Sequence, residues 1–256
     1  MMQKIALLIL IFLLQLVQAS EPVRIATGEY PPFTGSNLVD DGFVNHLIRQ
    51  VLAEAGLSAE FTYLPWKRSF QAAQQGKYDM ASYWVCEREY QQHFYCSDEL
   101  YRGQLLLYFR ADTPLPQWHS IDDLKPYRIG AILGYEYVPE FHQAMQKGEL
   151  DVIMVSNDRL NLNMLLNDRV DLILLSDTAM QSLLAEHFPS MPKDQIQAHP
   201  KPFLNYRAHV LFPKSIASSS ALRTRFNASL KELKASGEVE RQWQRLINGE
   251  FIPQQD

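Results

Sequence analysis

An arginine that follows a short predicted strand is the residue best suited to binding chemistry in this sequence. Arg88 comes four residues after Trp84, the last residue of the predicted strand Tyr78–Trp84. Ligands of open α/β sheets bind at the carboxyl ends of the strands, and a guanidinium offers forked N–H donors to a carboxylate. The position predicts an arginine that binds a carboxylate. The alternative is a surface arginine paired with Glu87 or Asp98.

Two aromatic residues lie in loops that follow predicted strands. Tyr30 and Trp66 stand in this position, and the face of an aromatic ring attracts an ammonium group by roughly 0.5–2 kcal/mol. Either ring could attract such a group, or could instead fill a hydrophobic core. Their neighbours Glu29 and Arg68 could add polar contacts, or could simply pair with each other.

The first twenty residues predict a secretory signal peptide. A start with one lysine is followed by the apolar run Ile5–Val17, and small residues stand at Val17 and Ala19. These are the three parts of a cleaved signal, so we expect residues 1–19 to be removed and the protein to act in a bacterial periplasm. The alternative is an uncleaved anchor, but the run is short for a span of roughly twenty residues.

Composition excludes several classes of function. The chain has 24 Lys+Arg against 29 Asp+Glu, a net charge of −5, and 46% hydrophobic residues. The acidic balance argues against a nucleic-acid surface, and the hydrophobic share argues against disorder. The seven histidines form no ligand-spaced pair, and neither a nucleophile elbow nor a phosphate loop occurs. We therefore expect neither a metal nor a cofactor.

The two cysteines, Cys86 and Cys96, are ten positions apart. In an oxidising compartment a disulfide between them would hold the loop that carries Arg88 and would add up to roughly 3 kcal/mol of stability. The alternative is a pair of buried thiols.

Strands and helices alternate along the remainder of the chain, which is typical of α/β folds. The alternation runs through two rounds separated near residues 110–116, and this predicts two α/β lobes. The predicted strands are 23–26, 61–63, 78–84, 127–133, 152–155, 170–175 and 207–212, and the predicted helices are 43–55, 66–75, 137–146, 158–167, 178–187, one starting at 218–220, and 239–247.

The order and spacing of several short motifs resemble one known family, the extracellular solute-binding proteins of family 3, which serve polar amino-acid ABC importers. No single motif is distinctive, but together they extend over essentially the whole chain after the signal. They are Arg24–Phe33 (RIATGEYPPF), Asp41–Phe43, Gly76–Asp79, Glu87–Arg88, Phe94–Asp98, Ile121–Lys125, Ile129–Tyr135, Arg169–Asp171, and Leu233, Gly237 and Trp243 near the end.

The resemblance implies the periplasmic-binding-protein type II fold, with two α/β lobes, a two-strand hinge and a ligand cleft between the lobes. Lobe 1 would be discontinuous, 22–108 and 205–256, and lobe 2 would be 109–204. The hinge crossings would lie near 108–112 and 203–207. Ligand binding would favour closure of the lobes.

The resemblance also implies roles for individual residues. Arg88 would bind the α-carboxylate of an amino acid, and Asp177 its α-ammonium group. The family's spacing falls on Ser176, so either residue could make that contact, and Asp177 could instead cap a helix. Gly134 and Tyr135 would offer backbone N–H groups at a strand-to-helix turn, unless they form only a tight turn. Tyr30 and Trp66 would line the cleft and stack on the ligand.

The sequence departs from the family before the arginine. Members that bind simple amino acids carry small hydroxyl residues there, whereas this chain has Ala81, Tyr83 and Val85. Tyr83 and Trp84 would give the site more aromatic surface and fewer donors, although Trp84 could equally pack in the core. This favours an aromatic, elongated or modified ligand.

The leading functional hypothesis is a monomeric periplasmic protein that captures a small polar solute, an amino acid or a similar molecule, and delivers it to an ABC permease. It would not be an enzyme. The alternatives are a dehydratase of prephenate-like acids on the same fold, in which Glu29 and Asp177 would act as acid and base, and a sensory ligand-binding subunit.

Overall fold

The computed structural model describes residues 21–113, 115, 117–192 and 194–253. The predicted signal peptide therefore lies outside the described residues. The strands are β1 Val23–Thr27, β2 Ala59–Tyr63, β3 Met80–Val85, β4 Phe94–Cys96, β5 Tyr101–Arg110, β6 Arg128–Ile132, β7 Asp151–Val155, β8 Leu172–Leu175, β9 Ile196–Ala198 and β10 Leu204–Pro213. The α-helices are α1 Phe43–Glu54, α2 Trp66–Gln74, α3 Pro139–Gln146, α4 Asp158–Leu166, α5 Asp177–His187, α6 Ser219–Ala235 and α7 Glu238–Ile247.

Two sheets share one long strand, and this divides the molecule into two α/β lobes. In lobe 1, β2, β1 and β3 are parallel, and β10 runs antiparallel to β3, to β4 and to the first half of β5. In lobe 2, β7, β6 and β8 are parallel, and the second half of β5 pairs antiparallel with β8 and β9. The predicted type II architecture is therefore confirmed.

The chain passes between the lobes twice. Strand β5 changes partner between Leu105, which pairs with β10, and Leu106, which pairs with β8. The returning segment runs beside it, because the N–H of Phe203 donates to the carbonyl of Leu105 and the N–H of His199 to that of Leu107. The first crossing thus lies a few residues before the predicted 108–112, and strand β5 as a whole has no counterpart among the predicted strands.

Burial of one apolar stripe explains most of the helices. Helix α1 buries Phe43, Leu47, Ile48 and Val51 against lobe 1, which is the face expected from a period of 3.6 residues. The helix predicted from Tyr137 begins instead at Pro139. A proline suits the first helical turn because an N–H at that position would have no partner within the helix.

No helix in the described part of the chain is long and apolar enough to cross a membrane.

Candidate functional site

A pocket lies between the two lobes, beside the strands that join them. It has a volume of about 520 Å³, including its open mouth, and its walls are mostly aromatic. The residues that line it are Tyr30, Trp66, Tyr83, Trp84, Val85, Leu105, Gly134, Tyr135, Glu136, Leu204 and Tyr206.

An irregularity in β3 turns three consecutive residues toward this pocket. Between Ala81 and Trp84, strand β3 has one residue more than the opposing segment of β10, and Tyr83 has a φ of +64°. A regular strand alternates its side chains between two faces, whereas a bulge redirects them. Tyr83, Trp84 and Val85 can therefore all line the pocket.

Tyrosine hydroxyl groups form a short network around the pocket. The OH of Tyr101 donates to the OH of Tyr83 at 2.6 Å, and the OH groups of Tyr83 and Tyr206 lie 3.0 Å apart. On the opposite side, the OH of Tyr30 donates to Oγ of Ser176 at 3.1 Å. Burial raises the pKa of Tyr30 and Tyr83, so these hydroxyl groups are neutral.

The lobes approach each other closely where Gly134 meets α2. A Cβ on Gly134 would lie 3.1 Å from Cβ of Trp66 and 3.2 Å from the backbone nitrogen of Lys67, and Gly134 has a φ of +87°. The ring of Tyr135 lies edge-on to Tyr30, with centroids 5.3 Å apart. Only a residue without a side chain allows this approach at a positive φ.

The backbone after β6 does not form the predicted strand-to-helix turn. The N–H of Tyr135 donates to the carbonyl of Ile132 at 3.3 Å, and helix α3 begins four residues later, at Pro139. The N–H of Tyr135 therefore has a partner within the turn and does not point from a helix start toward a ligand. The tight turn, the alternative at this position, is what the structure contains.

The acidic group in the pocket wall is Glu136, which the sequence did not single out. Its carboxylate accepts a hydrogen bond from the OH of Tyr90 on the opposite lobe. Burial raises the pKa of Glu136 to about 7, and the negative charges of Glu87 and Glu89 add to the effect. Glu136 therefore joins the lobes and carries a charge that is costly unless a cation or donor compensates it.

A wider groove lies on the other side of Tyr135 and holds a second acidic group. This groove measures about 1450 Å³ and shares Trp66 and Tyr135 with the pocket. In its wall, Asp158 accepts a hydrogen bond from the OH of Tyr135 at 2.7 Å, while its Oδ1 is buried without a partner among the described residues. Burial raises the pKa of Asp158 to about 6.

Arg88 and Arg68 do not line the pocket. Both are exposed, and within the described residues Arg88 pairs with neither Glu87 nor Asp98. The residue of this loop that reaches the other lobe is Tyr90, through its contact with Glu136. Sequence reasoning did not find Tyr90, because it identified Arg88 from its position after a strand and from the family motif, and neither shows which side chain of the loop faces the other lobe.

Glu29 and Trp66 are linked to nearby groups of lobe 1. The carboxylate of Glu29 accepts hydrogen bonds from the N–H and the OH of Ser36 rather than pairing with Arg68. It lines the wider groove and not the pocket. The indole N–H of Trp66 donates to the carbonyl of Glu29 at 3.3 Å, which holds the ring at the boundary between the pocket and the groove.

Of the two adjacent residues at the start of α5, Ser176 contacts the opposite lobe. Its Oγ accepts from the N–H of Ala179 as the helix cap and from the OH of Tyr30. Asp177 is exposed and accepts hydrogen bonds from Tyr108 and Gln181. Ser176 thus fills the capping position that was the alternative role for Asp177.

Cys86 and Cys96 form a disulfide, which confirms the predicted bond. It joins the end of β3 to β4 and closes the loop that contains Arg88 and Tyr90. In the described part of the chain, no three His, Cys, Asp or Glu side chains are grouped to hold a metal ion.

The site therefore combines predicted and unpredicted residues. Of the residues proposed from the sequence, Tyr30, Trp66, Tyr83, Trp84, Gly134 and Tyr135 line the pocket, and their contact with a ligand stays a prediction. The pocket residues that sequence reasoning missed are Val85, Leu105, Glu136, Leu204 and Tyr206. A signal existed for Leu105, Leu204 and Tyr206, since the two predicted crossings lie near these positions.

The model of one protein family, described as bacterial extracellular solute-binding proteins, family 3, matches residues 23–247. No curated protein sequence matches the chain.

Solved structures with the same fold include several proteins in complex with amino acids. An ancestral arginine-binding protein bound to arginine is 18% identical, with a TM-score of 0.74 over 89% of this chain and 99% of that chain. The GluR0 ligand-binding core from Nostoc punctiforme in complex with L-glutamate is 18% identical, with a TM-score of 0.71 over 88% and 99%. The amino acid ABC transporter substrate-binding protein AbpA from Streptococcus pneumoniae, bound to L-arginine, is 17% identical, with a TM-score of 0.70 over 91% and 97%.

Proposed function

Because the chain belongs to the bacterial extracellular solute-binding proteins of family 3, we propose that it captures a small polar, amino-acid-like solute and delivers it to an ABC permease. The observation that carries this proposal is the pocket between the lobes, whose walls come from both lobes and from the strands that join them. A solute held there contacts both lobes at once, so its binding stabilises the closed arrangement.

The closing motion would take place about the two crossings. With the partner change in β5 at Leu105 and Leu106 as the first hinge point, lobe 1 would consist of 22–105 and 205–256, and lobe 2 of 106–204. The first boundary thus lies three residues before the one expected from the sequence. Hinges need only a few residues that absorb the change in backbone angles. A permease would then distinguish closed from open protein by the relative position of the lobes.

The protein would act in the periplasm, as a monomer, after removal of residues 1–19. It would bind its solute without changing it chemically. Mass spectrometry of the secreted protein tests the removal of residues 1–19, since cleavage predicts a mature chain that begins at Ser20. Recovery of the unaltered solute after incubation with the protein tests whether the solute is bound without chemical change.

A thermal-shift screen of the mature protein tests the proposed binding function. The panel should contain amino acids, opines, polyamines, simple amines and small carboxylates. A true solute raises the melting temperature in proportion to the logarithm of its concentration, because it binds the folded state. If no compound in the panel raises the melting temperature, and isothermal calorimetry finds no binding, the proposal is wrong.

A further inference from the structure

The pocket has the composition of a site for cations. Four of its aromatic residues, Tyr30, Trp66, Tyr83 and Tyr135, stand close to one another: Trp66 lies 6.2 Å from Tyr83 and 6.3 Å from Tyr135, and Tyr30 lies 5.6 Å from Tyr83, between ring centroids. Rings at such distances pack directly against one another, and a solute would meet those parts of their faces and edges that line the pocket. A cation is attracted to such faces, most strongly where water is excluded.

The charged group of the pocket has the matching sign. Among the described residues that line the pocket, Glu136 is the one with a carboxylate, and none is a lysine, arginine or histidine. Its hydrogen-bond partner is the OH of Tyr90, and among the described residues no cationic group offsets its charge. An ammonium group in the pocket would supply that balance.

A carboxylate would find no matching charge in the same pocket. Arg88 and Arg68 are exposed and lie outside the lining, and Arg159 lines the wider groove on the other side of Tyr135. An N–H donor at the wall without a partner among the described residues is Nε1 of Trp84. One neutral donor can bond to a hydroxyl or carbonyl oxygen, but it does not compensate a buried anion.

The tyrosine hydroxyl groups do not change this balance. Tyr83 and Tyr206 bond to each other, Tyr30 bonds to Ser176, and Tyr135 bonds to Asp158. Burial raises the pKa of each of these hydroxyl groups and keeps them neutral, and the contacts leave them largely occupied. They therefore orient the rings and do not provide a positive charge.

We propose that the solute is an organic cation, an ammonium or guanidinium group on a small apolar or aromatic body, bound by the aromatic rings and Glu136 and needing no carboxylate of its own. This inference rests on the proposed function, since it names the class of solute that the same pocket takes.

Two matched series of compounds test the inference by isothermal calorimetry on the mature protein at pH 7.5. One series is phenethylamine, phenylalanine and 3-phenylpropionate, and the other is agmatine, arginine and 5-guanidinovalerate. Each series keeps the side group and removes either the carboxylate or the amine. We expect the compound without a carboxylate to bind at least tenfold more tightly than the parent amino acid in at least one series.

The other outcomes separate this inference from the proposed function. If the parent amino acids or the acids bind as tightly as the amines or more tightly in both series, the inference is wrong and the binding function stands. If neither these compounds nor the wider screening panel binds, both are wrong.

Variants identify the group that binds the cation. Glu136→Gln keeps the shape of the side chain and removes its charge, and we expect it to weaken binding of the preferred amine at least tenfold. Its far-ultraviolet circular dichroism spectrum should be unchanged and its thermal unfolding should remain cooperative. The matched control is Glu140→Gln, an exposed acid on α3, which should leave the affinity within twofold. Arg88→Ala should also leave it within twofold. A tenfold loss in Arg88→Ala, or unchanged affinity in Glu136→Gln, would contradict the inference.

Discussion

At the scale of single residues, the environment of Glu136 is the most unusual feature of the site. A carboxyl group prefers water, yet this one lies partly buried between aromatic rings with Tyr90 as its partner and with Glu87 and Glu89 nearby. Burial and like charges both favour its protonated form. A site that keeps such a group favours a positively charged occupant.

The raised pKa of Glu136 predicts a dependence of stability on pH. The folded value is about 7 against an ordinary value of 4.5, so between these pH values the folded chain holds a proton that the unfolded chain has lost. The contribution of Glu136 to the free energy of unfolding therefore falls as pH rises through this window, by about 2 kcal/mol after allowance for partial exposure.

Urea unfolding at pH 5 and at pH 7.5 measures this contribution as a difference between variants. Glu136→Gln should be stabilised relative to the parent protein at pH 7.5 and should gain little at pH 5. Glu140→Gln should show no such difference. An equal gain in the free energy of unfolding at both pH values would mean that Glu136 is charged at pH 5 as well. Burial would then not raise the pKa of Glu136 as the structure indicates.

At the scale of elements, two short connections give the pocket its shape. The disulfide between Cys86 and Cys96 fastens the loop after β3, and the turn after β6 brings Gly134 against α2. Neither connection is a helix or a strand, but each holds in place the side chains of the loop or turn to which it belongs. We expect changes in them to affect binding more than equally large changes elsewhere on the surface.

Replacing Gly134 by alanine should weaken solute binding. The new Cβ would lie 3.1 Å from Cβ of Trp66 and 3.2 Å from the nitrogen of Lys67, so the lobes could not approach as closely. Gly148→Ala is the matched control, because Gly148 also has a positive φ but has nothing within 4 Å of the added atom. Both variants should lose about 1 kcal/mol of stability from backbone strain.

Only Gly134→Ala should lose affinity, which we expect to fall at least tenfold by calorimetry. Small-angle scattering should show it more extended than the parent protein at saturating solute. Equal affinities of the two alanine variants would mean that the approach of Gly134 to α2 is not needed for binding.

Removing the disulfide should lower stability and loosen the loop that carries Tyr90. Replacing both cysteines by serine releases a loop closed between positions ten apart, and the chain-entropy model gives a loss of at most about 3 kcal/mol. The loss should appear in urea unfolding without reductant. Reduction of the parent protein by dithiothreitol should reproduce it, and an unchanged midpoint in both cases would contradict the prediction.

At the scale of the whole molecule, two of the side-chain hydrogen bonds described above join the two lobes and would bear on the proposed closure. The OH of Tyr30 bonds to Ser176 and the OH of Tyr90 bonds to Glu136, and each pair joins one lobe to the other. Such contacts contribute only to the closed state. Changing one of them therefore shifts the balance between open and closed protein.

Tyr30→Phe tests this at a single atom, since it keeps the ring and removes the hydroxyl. The lost bond is worth about 1 kcal/mol, so the affinity for solute should fall about fivefold while the free energy of unfolding of each lobe changes little. Tyr108→Phe is the control, because the OH of Tyr108 bonds to Asp177 within lobe 2. An equal loss of affinity in both variants would argue against a role of the Tyr30 contact in closure.

The sequence by itself determined the two-lobed α/β fold and, through its motifs, the family, and it offered the disulfide and the aromatic wall each as one of two alternatives. These features depend on local patterns: the period of apolar residues, the loops that follow strands, and two cysteines ten positions apart. Tyr30, Trp66 and Trp84 could be named because large aromatic residues near strand ends must either pack in a core or face a cleft.

Only the tertiary structure decided which charged groups reach the pocket. Arg88 and Tyr90 stand in the same loop, and no local pattern shows that Tyr90 faces Glu136 while Arg88 is exposed. That outcome depends on the bulge in β3 and on the packing of one lobe against the other. The bulge and the packing of the lobes each depend on contacts between residues that are far apart in the chain. The spacing of residue types along the sequence therefore does not reveal them.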